Sequence, residues 1–234
     1  MRFGIIGPCE DEIQPFICKL EDVTTAEHAM VKFHSGTYNG LDVVALFCGV
    51  CKVNAAIATQ ILINKYDVTH IIVTGVAGAI DASLAISDTI ISSEIGYHDV
   101  ADGILTNYHP WMESVYFKAD QGLFDDILRA NDGDDTVQPG KIVTGEAFIH
   151  QEGRDVIIDK HAPHCVDMET AAIAHVCYAN DVPFVAIRSI SDTPHESGSE
   201  SFEKYFKQAA EKSIAVSCLY LDYLAKTGIQ ISHL

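Results

Sequence analysis

The sequence predicts an α/β fold: a three-layer α/β/α sandwich around a central mixed, mainly parallel sheet. Short runs of Val and Ile alternate with helical patterns along the chain. These runs are apolar at successive positions, not at every second one, which marks strands covered on both faces. No linker, repeat or low-complexity segment interrupts the 234 residues, so a single domain over 1–234 is expected.

Phe3 to Ile6 reads as a first buried strand, and Asp11 to Leu20 as the first helix. Asp42 to Phe47 is a second strand, followed by an Ala-rich helix over Val53 to Asn64. Ile71 to Thr74 is a third strand and stops at Gly75. Thr89 to Ser92 follows a turn at Ser87-Asp88. Lys141 to Thr144 and Pro183 to Ile190 are further strands, while Thr170 to Tyr178 and Phe202 to Leu224 carry helical periodicity. Asn131 to Asp135 is an acidic loop.

Composition narrows the partners. Hydrophobic residues make up 48% of the chain, enough for a continuous core. The net charge of -18 repels phosphate backbones and anionic membranes, so neither nucleic acid nor membrane is an expected partner. Seven cysteines, an odd number spread from Cys9 to Cys218, do not make a secreted disulfide framework. Cys48-Gly49-Val50-Cys51 is a CxxC without the second pair that a zinc site needs. His161, His164 and Cys165 have no matching ligand cluster and read as a solvated loop, so no metal is expected. The N-terminal apolar run is too short for a signal peptide, and no stretch reaches the ~18 apolar residues of a membrane span. A cytoplasmic location follows as an expectation.

In sheets of this kind ligands sit beyond the carboxyl ends of the strands. The first strand is followed by Glu10, Asp11 and Glu12, which suit a helix N-terminus and reject phosphate. Glu12 differs from the other two only if it points back over the strand ends. After the third strand, Gly75 and Gly78 flank Val76 and let the backbone approach a ligand. Phe148, just past a strand, can stack a planar base or serve the core. Glu169 opens an Ala-rich helix, where it can hold two neighbouring hydroxyls or complement the helix dipole. Arg188 sits inside an apolar strand and needs an acidic partner. Asp192 ends that strand, either as chemistry or as an N-cap before Thr193-Pro194.

Taken together, Gly4-Ile5-Ile6-Gly7 with Glu12, Thr74 to Gly78, Tyr97-His98-Asp99, Gly145 to Ile149, Met168-Glu169 with Ala174 to Cys177, and Val185 to Asp192 carry a resemblance. The chain resembles the 5′-methylthioadenosine/S-adenosylhomocysteine nucleosidases of the nucleoside phosphorylase superfamily, from Met1 to about Leu224. The resemblance implies hydrolysis of the adenine–ribose bond by a homodimer, without metal or cofactor. It implies Asp192 as the general acid at purine N7 and Glu12 as the base that activates water. Arg188 would help place that water and pair with Glu12. Glu169 would hold the ribose hydroxyls, with Met168 packed on the sugar. Phe148 would stack on adenine while the Ile149 backbone reads its edge. Cys9, Val50, Val76, Ser191 and Phe202 would complete the substrate pocket.

The chemistry suits those roles. Breaking an N-glycosidic bond builds positive charge on the sugar and negative charge on the base. Asp192 must therefore hold a proton near neutral pH, and Glu12 must be ionised. Several positions depart from the family. Cys9 stands where Met is frequent, Cys48 and Cys51 replace Ser and Gly, and Asp167 replaces Glu. Over Asp102 to Trp111 the usual Phe pattern, with which a partner subunit covers the 5′-group, is absent. Ile104-Leu105 or Tyr108-His109-Pro110 must substitute there. A phosphorylase would need cations where Glu10, Asp11 and Glu12 stand. An aminofutalosine or 5′-deoxyadenosine hydrolase would share the carboxylates. A non-catalytic nucleoside binder would not need both an acid and a base.

Overall fold

The structure, a computed structural model, describes residues 1–149, 153–193 and 198–228, without the side chains of 198–201. Its elements run β1 (Arg2–Gly7), α1 (Glu10–Ile17), β2 (Glu21–His28), β3 (Val31–Tyr38), β4 (Leu41–Phe47), α2 (Lys52–Tyr66), β5 (His70–Ala79), β6 (Thr89–Tyr97) and α3 (Ile104–Asn107). There follow β7 (Tyr116–Lys118), α4 (Gln121–Ala130), β8 (Val137–Thr144), α5 (Arg154–His161), β9 (Cys165–Asp167), α6 (Thr170–Ala179), β10 (Phe184–Asp192) and α7 (Gly198–Thr227).

Strand side chains alternate between two apolar layers. Ile5, Val43, Ala45 and Ile72 face a cluster with Phe16, Leu123, Ile214 and Leu221 from α1, α4 and α7. Ile6, Val44, Leu46, Ile71 and Val73 face the opposite cluster, with Ala55, Ala58 and Leu62 of α2 and Ile173 and Cys177 of α6. Burial on both faces is why these strands read as continuous Val/Ile runs. The α/β/α layering is as the pattern predicts.

The strand order is β10-β6-β8-β9-β5-β1-β4-β3-β2, with β7 on β6. β1 pairs in parallel with β4 and β5, and β5 in parallel with β10. Because β10 also pairs with β6, the strands β5, β10, β6, β8 and β9 close on themselves. That closure brings the ends of β1, β5, β8, β9 and β10 to one rim. The β5–β10 register sets Arg188 opposite Gly75 and, after an irregularity at Ile190/Asp192, Asp192 opposite Gly78. Such irregularities re-aim side chains next to functional sites.

Two differences from the sequence reading have clear causes. The β2–β3 hairpin was not expected, because β2 is an exposed edge strand with no apolar alternation. Its turn residues Ala29 and Met30 have positive φ and carry no Asn-Gly signal. The region of His161, His164 and Cys165 is also no solvated loop. His161 is buried against the Tyr116 hydroxyl at 2.8 Å, His164 Nδ1 accepts the Lys141 N–H at 3.0 Å, and Cys165 belongs to β9.

Candidate active site

A cleft of about 610 Å³, including its open mouth, lies at the strand-end rim. It is lined by Cys9, Glu12, Val50, Val76, Phe148, Ile149, Met168, Glu169, Ser191, Asp192 and Phe202. These are all the expected site residues except Arg188. Gly78, expected to let the backbone approach a ligand, lines it as well, and so do Pro8, Ala77, Ala147, Val166, Asp167 and Phe206, which sequence reasoning did not single out for it. No lysine or arginine is among the described lining residues.

Glu12 has both structural and cleft-facing roles. As the third residue of α1 it closes a capping box, its Oε2 accepting the Cys9 N–H at 2.8 Å. Its Oε1 reaches across the cleft floor and accepts the Val76 N–H at 2.8 Å. Glu10 and Asp11 remain solvent-exposed first-turn acids, as dipole complementarity predicts. Burial raises the Glu12 carboxyl above its ordinary 4.5, opposed by Arg188 and the two backbone donors. A raised but hydrogen-bonded carboxylate suits a general base.

Gly75 makes this approach possible. A Cβ there would stand 2.4 Å from Arg188 Nη1 and 2.5 Å from Glu12 Oε1. Only a residue without a side chain leaves room for both groups.

Arg188 does pair with Glu12, but Glu12 is not its nearest carboxylate. The arginine is fully buried beneath the cleft, and its Glu12 contact is the longest of its ion pairs, at 3.9 Å. Its nearer carboxylates are Asp167 at 2.9 Å and Glu169 at 3.5 Å. Nε and Nη2 also donate to Thr170 Oγ1, at 3.0 and 2.8 Å. A guanidinium this deep takes the nearest carboxylate geometry, which β9 supplies and sequence separation concealed. Burial lowers its proton affinity, but Asp167, Glu169 and Glu12 together raise it further.

Asp167 is the functional residue the sequence reading noted only as a departure. Its Oδ1 accepts the Thr144 hydroxyl at 2.5 Å and the N–H groups of Glu169 and Thr170 at 3.3 and 3.2 Å, and Oδ2 accepts the Thr170 hydroxyl. It therefore holds the start of α6 and Arg188 at once. An Asp shortly before an apolar helical run is a helix-start signal that could have found it.

Glu169 is the N-cap of α6, but its side chain makes no cap hydrogen bond and turns away from the helix. Its Oε1 accepts the Cys51 N–H at 2.9 Å, and the side chain faces the cleft, nearly buried. Burial pushes its carboxyl up to about 7, with Arg188 lowering it and Asp167 raising it. The folded value lies above the ordinary 4.5, so its contribution to stability is complete below about pH 4.5 and is lost as pH rises through about 7. Thermal unfolding of wild type and Glu169→Gln between pH 5 and 8 should therefore diverge, with Gln gaining in relative Tm as pH rises. A constant difference would contradict this assignment.

Asp192 is the last residue of β10. Pro194, used in the capping reading, lies outside the described residues. The carboxyl accepts the Ser191 hydroxyl at 2.9 Å, and its Oδ2 lies where a Cβ on Gly78 would be 2.7 Å away. Phe148 is 38% exposed, which rules out the core alternative, and meets Phe202 edge-on at 5.8 Å. Phe202 in turn packs on Phe206, so the aromatic end of the cleft is assembled from the β8–α5 loop and α7.

One side of the cleft thus holds an apolar, aromatic slot, and the other holds buried carboxylates in excess over one guanidinium. The description of the family whose model matches residues 2–222 is the phosphorylase superfamily. A curated 5′-methylthioadenosine/S-adenosylhomocysteine nucleosidase of Maridesulfovibrio salexigens is 35% identical over 92% of this chain and 96% of its own length. The chain belongs to this nucleosidase family within the phosphorylase superfamily. The same-named protein of Bacillus thuringiensis subsp. konkukian is 38% identical over 90% of the chain and 94% of its own. A crystal structure of the nucleosidase from Colwellia psychrerythraea, in complex with adenine, superposes with a TM-score of 0.89 at 34% identity, covering 99% of this chain and 98% of that one.

Cys51 has a strained backbone. It has φ 77 and ψ 162, a conformation that favours glycine, while its N–H serves Glu169. Cys51→Gly keeps that N–H and removes the Cβ conflict. It should stabilise the protein by about 1 kcal/mol, the strain relieved exceeding the added chain entropy of glycine. Urea unfolding checks this, and a loss of stability would refute it.

Proposed function

We propose that this chain hydrolyses the N-glycosidic bond of 5′-methylthioadenosine and S-adenosylhomocysteine, releasing adenine and a 5-thioribose sugar. The observation that carries this reading is the placement of Glu12, Glu169 and Asp192 around one cleft that also offers the aromatic slot of Phe148 and Phe202. Adenine lies in that slot against Phe148, with the Ile149 backbone at its edge. Asp192 arrives protonated and gives its proton to N7, so the base leaves uncharged. The sugar becomes cationic as the bond stretches. The surplus negative charge of Glu12, Asp167 and Glu169 over Arg188 stabilises it.

Glu169 holds the ribose hydroxyls over Met168, and Glu12 takes the proton of the attacking water. Val50, Val76, Ser191 and Cys9 shape the walls. Arg188 acts from beneath, by keeping the carboxylates in place. The absence of cationic lining residues among those described supports water, not phosphate, as nucleophile.

A homodimer fits the exposed apolar surface near the rim. Val50, Val53 and Ile57 at the start of α2, and Ile104, Tyr108 and Trp111 around α3, are 41 to 67% exposed. A second copy covering these would complete the 5′-end of the cleft. Seven free thiols support a reducing cytoplasm, where the reaction would serve methionine salvage. No helix among the described residues is long and apolar enough to cross a membrane.

Adenine release from 5′-methylthioadenosine, S-adenosylhomocysteine, 5′-deoxyadenosine, aminofutalosine and adenosine, with and without phosphate, tests the reading. Release from the two thio-substrates without phosphate is expected. Strict phosphate dependence, or turnover of aminofutalosine alone, would replace it.

A further inference from the structure

Behind the cleft, α7 presents Ser213 to the bend of β5. The hydroxyl is fully buried. It accepts the Gly75 N–H at 2.7 Å, lies 2.5 Å from the Thr74 hydroxyl, and donates to the Ile187 carbonyl of β10 at 3.2 Å. With Thr74 donating, both acceptor positions and the one donor are used. Among the described residues, nothing else in α7 hydrogen-bonds to Gly75. On the cleft side of Gly75 stand Arg188 and Glu12, close enough to forbid a side chain. The next residue, Val76, supplies the N–H that orients Glu12. The chain of contact runs from Ser213 to the Gly75 backbone, to the Val76 N–H, to the Glu12 carboxylate.

We propose that Ser213 is a positioning residue for Glu12, holding the Gly75–Val76 backbone so that the Val76 N–H fixes the carboxylate toward the attacking water. This rests on the reading of Glu12 as the base. Without the hydroxyl, the Gly75 N–H and Thr74 hydroxyl lose a shared acceptor in a site that admits no replacement, and the bend shifts to find one. The carboxylate then loses its fixed direction, and small misplacements of reacting groups are costly. Substrate contacts on the far wall, at Phe148, Met168 and Glu169, are untouched.

The test compares Ser213→Ala, Ser213→Cys, Ser217→Ala and Glu12→Gln in adenine release from 5′-methylthioadenosine across pH. Ser217 serves as control: it lies one turn further along α7 and donates to the Ser213 carbonyl at 2.9 Å or to Thr74 at 3.2 Å. Ser213→Ala is expected to lower kcat roughly 10- to 100-fold with KM within about threefold. The acidic limb of its kcat profile moves to higher pH, because a carboxylate that loses a donor holds its proton longer. Around Glu12, the other charged or titratable groups among the described residues include Cys9, Cys48, Arg188 and Glu169, which the substitution does not remove. Ser213→Cys keeps a weaker acceptor and should fall between alanine and wild type, and it carries the test if the alanine variant does not fold. Ser217→Ala should stay within about twofold in kcat despite losing a buried hydroxyl. The inference is overturned if Ser213→Ala matches Ser217→Ala in kcat and pH limb, or if its loss lies in KM alone. Full turnover by Glu12→Gln removes the base reading and this inference with it. An inactive Glu12→Gln beside a normal Ser213→Ala removes the inference alone.

Discussion

Asp192→Asn should reduce kcat for 5′-methylthioadenosine by about three orders of magnitude while nucleoside affinity changes only a few-fold. The side chain keeps its shape, its carbonyl oxygen still accepts the Ser191 hydroxyl, and the approach to Gly78 is preserved. What disappears is a transferable proton. The leaving adenine must then depart as an anion, and the loss falls on the transition state alone. Single-turnover kinetics with calorimetric binding of a non-hydrolysable nucleoside separates the two quantities. An Asn variant within tenfold of wild-type kcat would show that another group delivers the proton.

Arg188→Met is the substitution expected to cost most in stability. The guanidinium is fully buried among Asp167, Glu169 and Glu12, and methionine fills its volume without its charge. Breaking such a cluster by removing one partner typically costs about 3–5 kcal/mol. The cost should depend on pH. Glu12 and Glu169 already lie above their ordinary 4.5 with Arg188 lowering both, so its removal raises them further. Carboxyls raised in the folded state contribute stability that is intact at low pH and lost as pH climbs. The deficit of the variant should thus be small near pH 5 and largest near pH 8 in urea unfolding. An equal deficit at both values would mean that the arginine acts by packing alone.

Much of the site was legible because the fold obliges its chemistry to sit at strand ends. Glu12, Val76, Asp192 and the Phe148 loop could each be placed by finding where an apolar run stops, and the cleft gathers all of them. Asp167 and Ser213 were not legible in the same way. Asp167 ends the three-residue strand β9, and Ser213 is one small residue in the 30-residue α7. Their partners, Arg188 and Gly75, lie 21 and 138 residues away along the chain. No periodicity encodes such pairings.

What the sequence by itself determined was the layering and the rim: continuous apolar strands have to be covered on both faces, and their polar termini have to face solvent or a ligand. Only the tertiary structure decided which carboxylate holds the arginine, which caps a helix and which is left facing the cleft. Those choices depend on the closure of β10 onto β5 and β6 and on the arrival of β9 beside β5. Electrostatic energy varies with distance over a few ångströms in a medium of low polarisability, and a linear pattern of residues contains no distances of that kind.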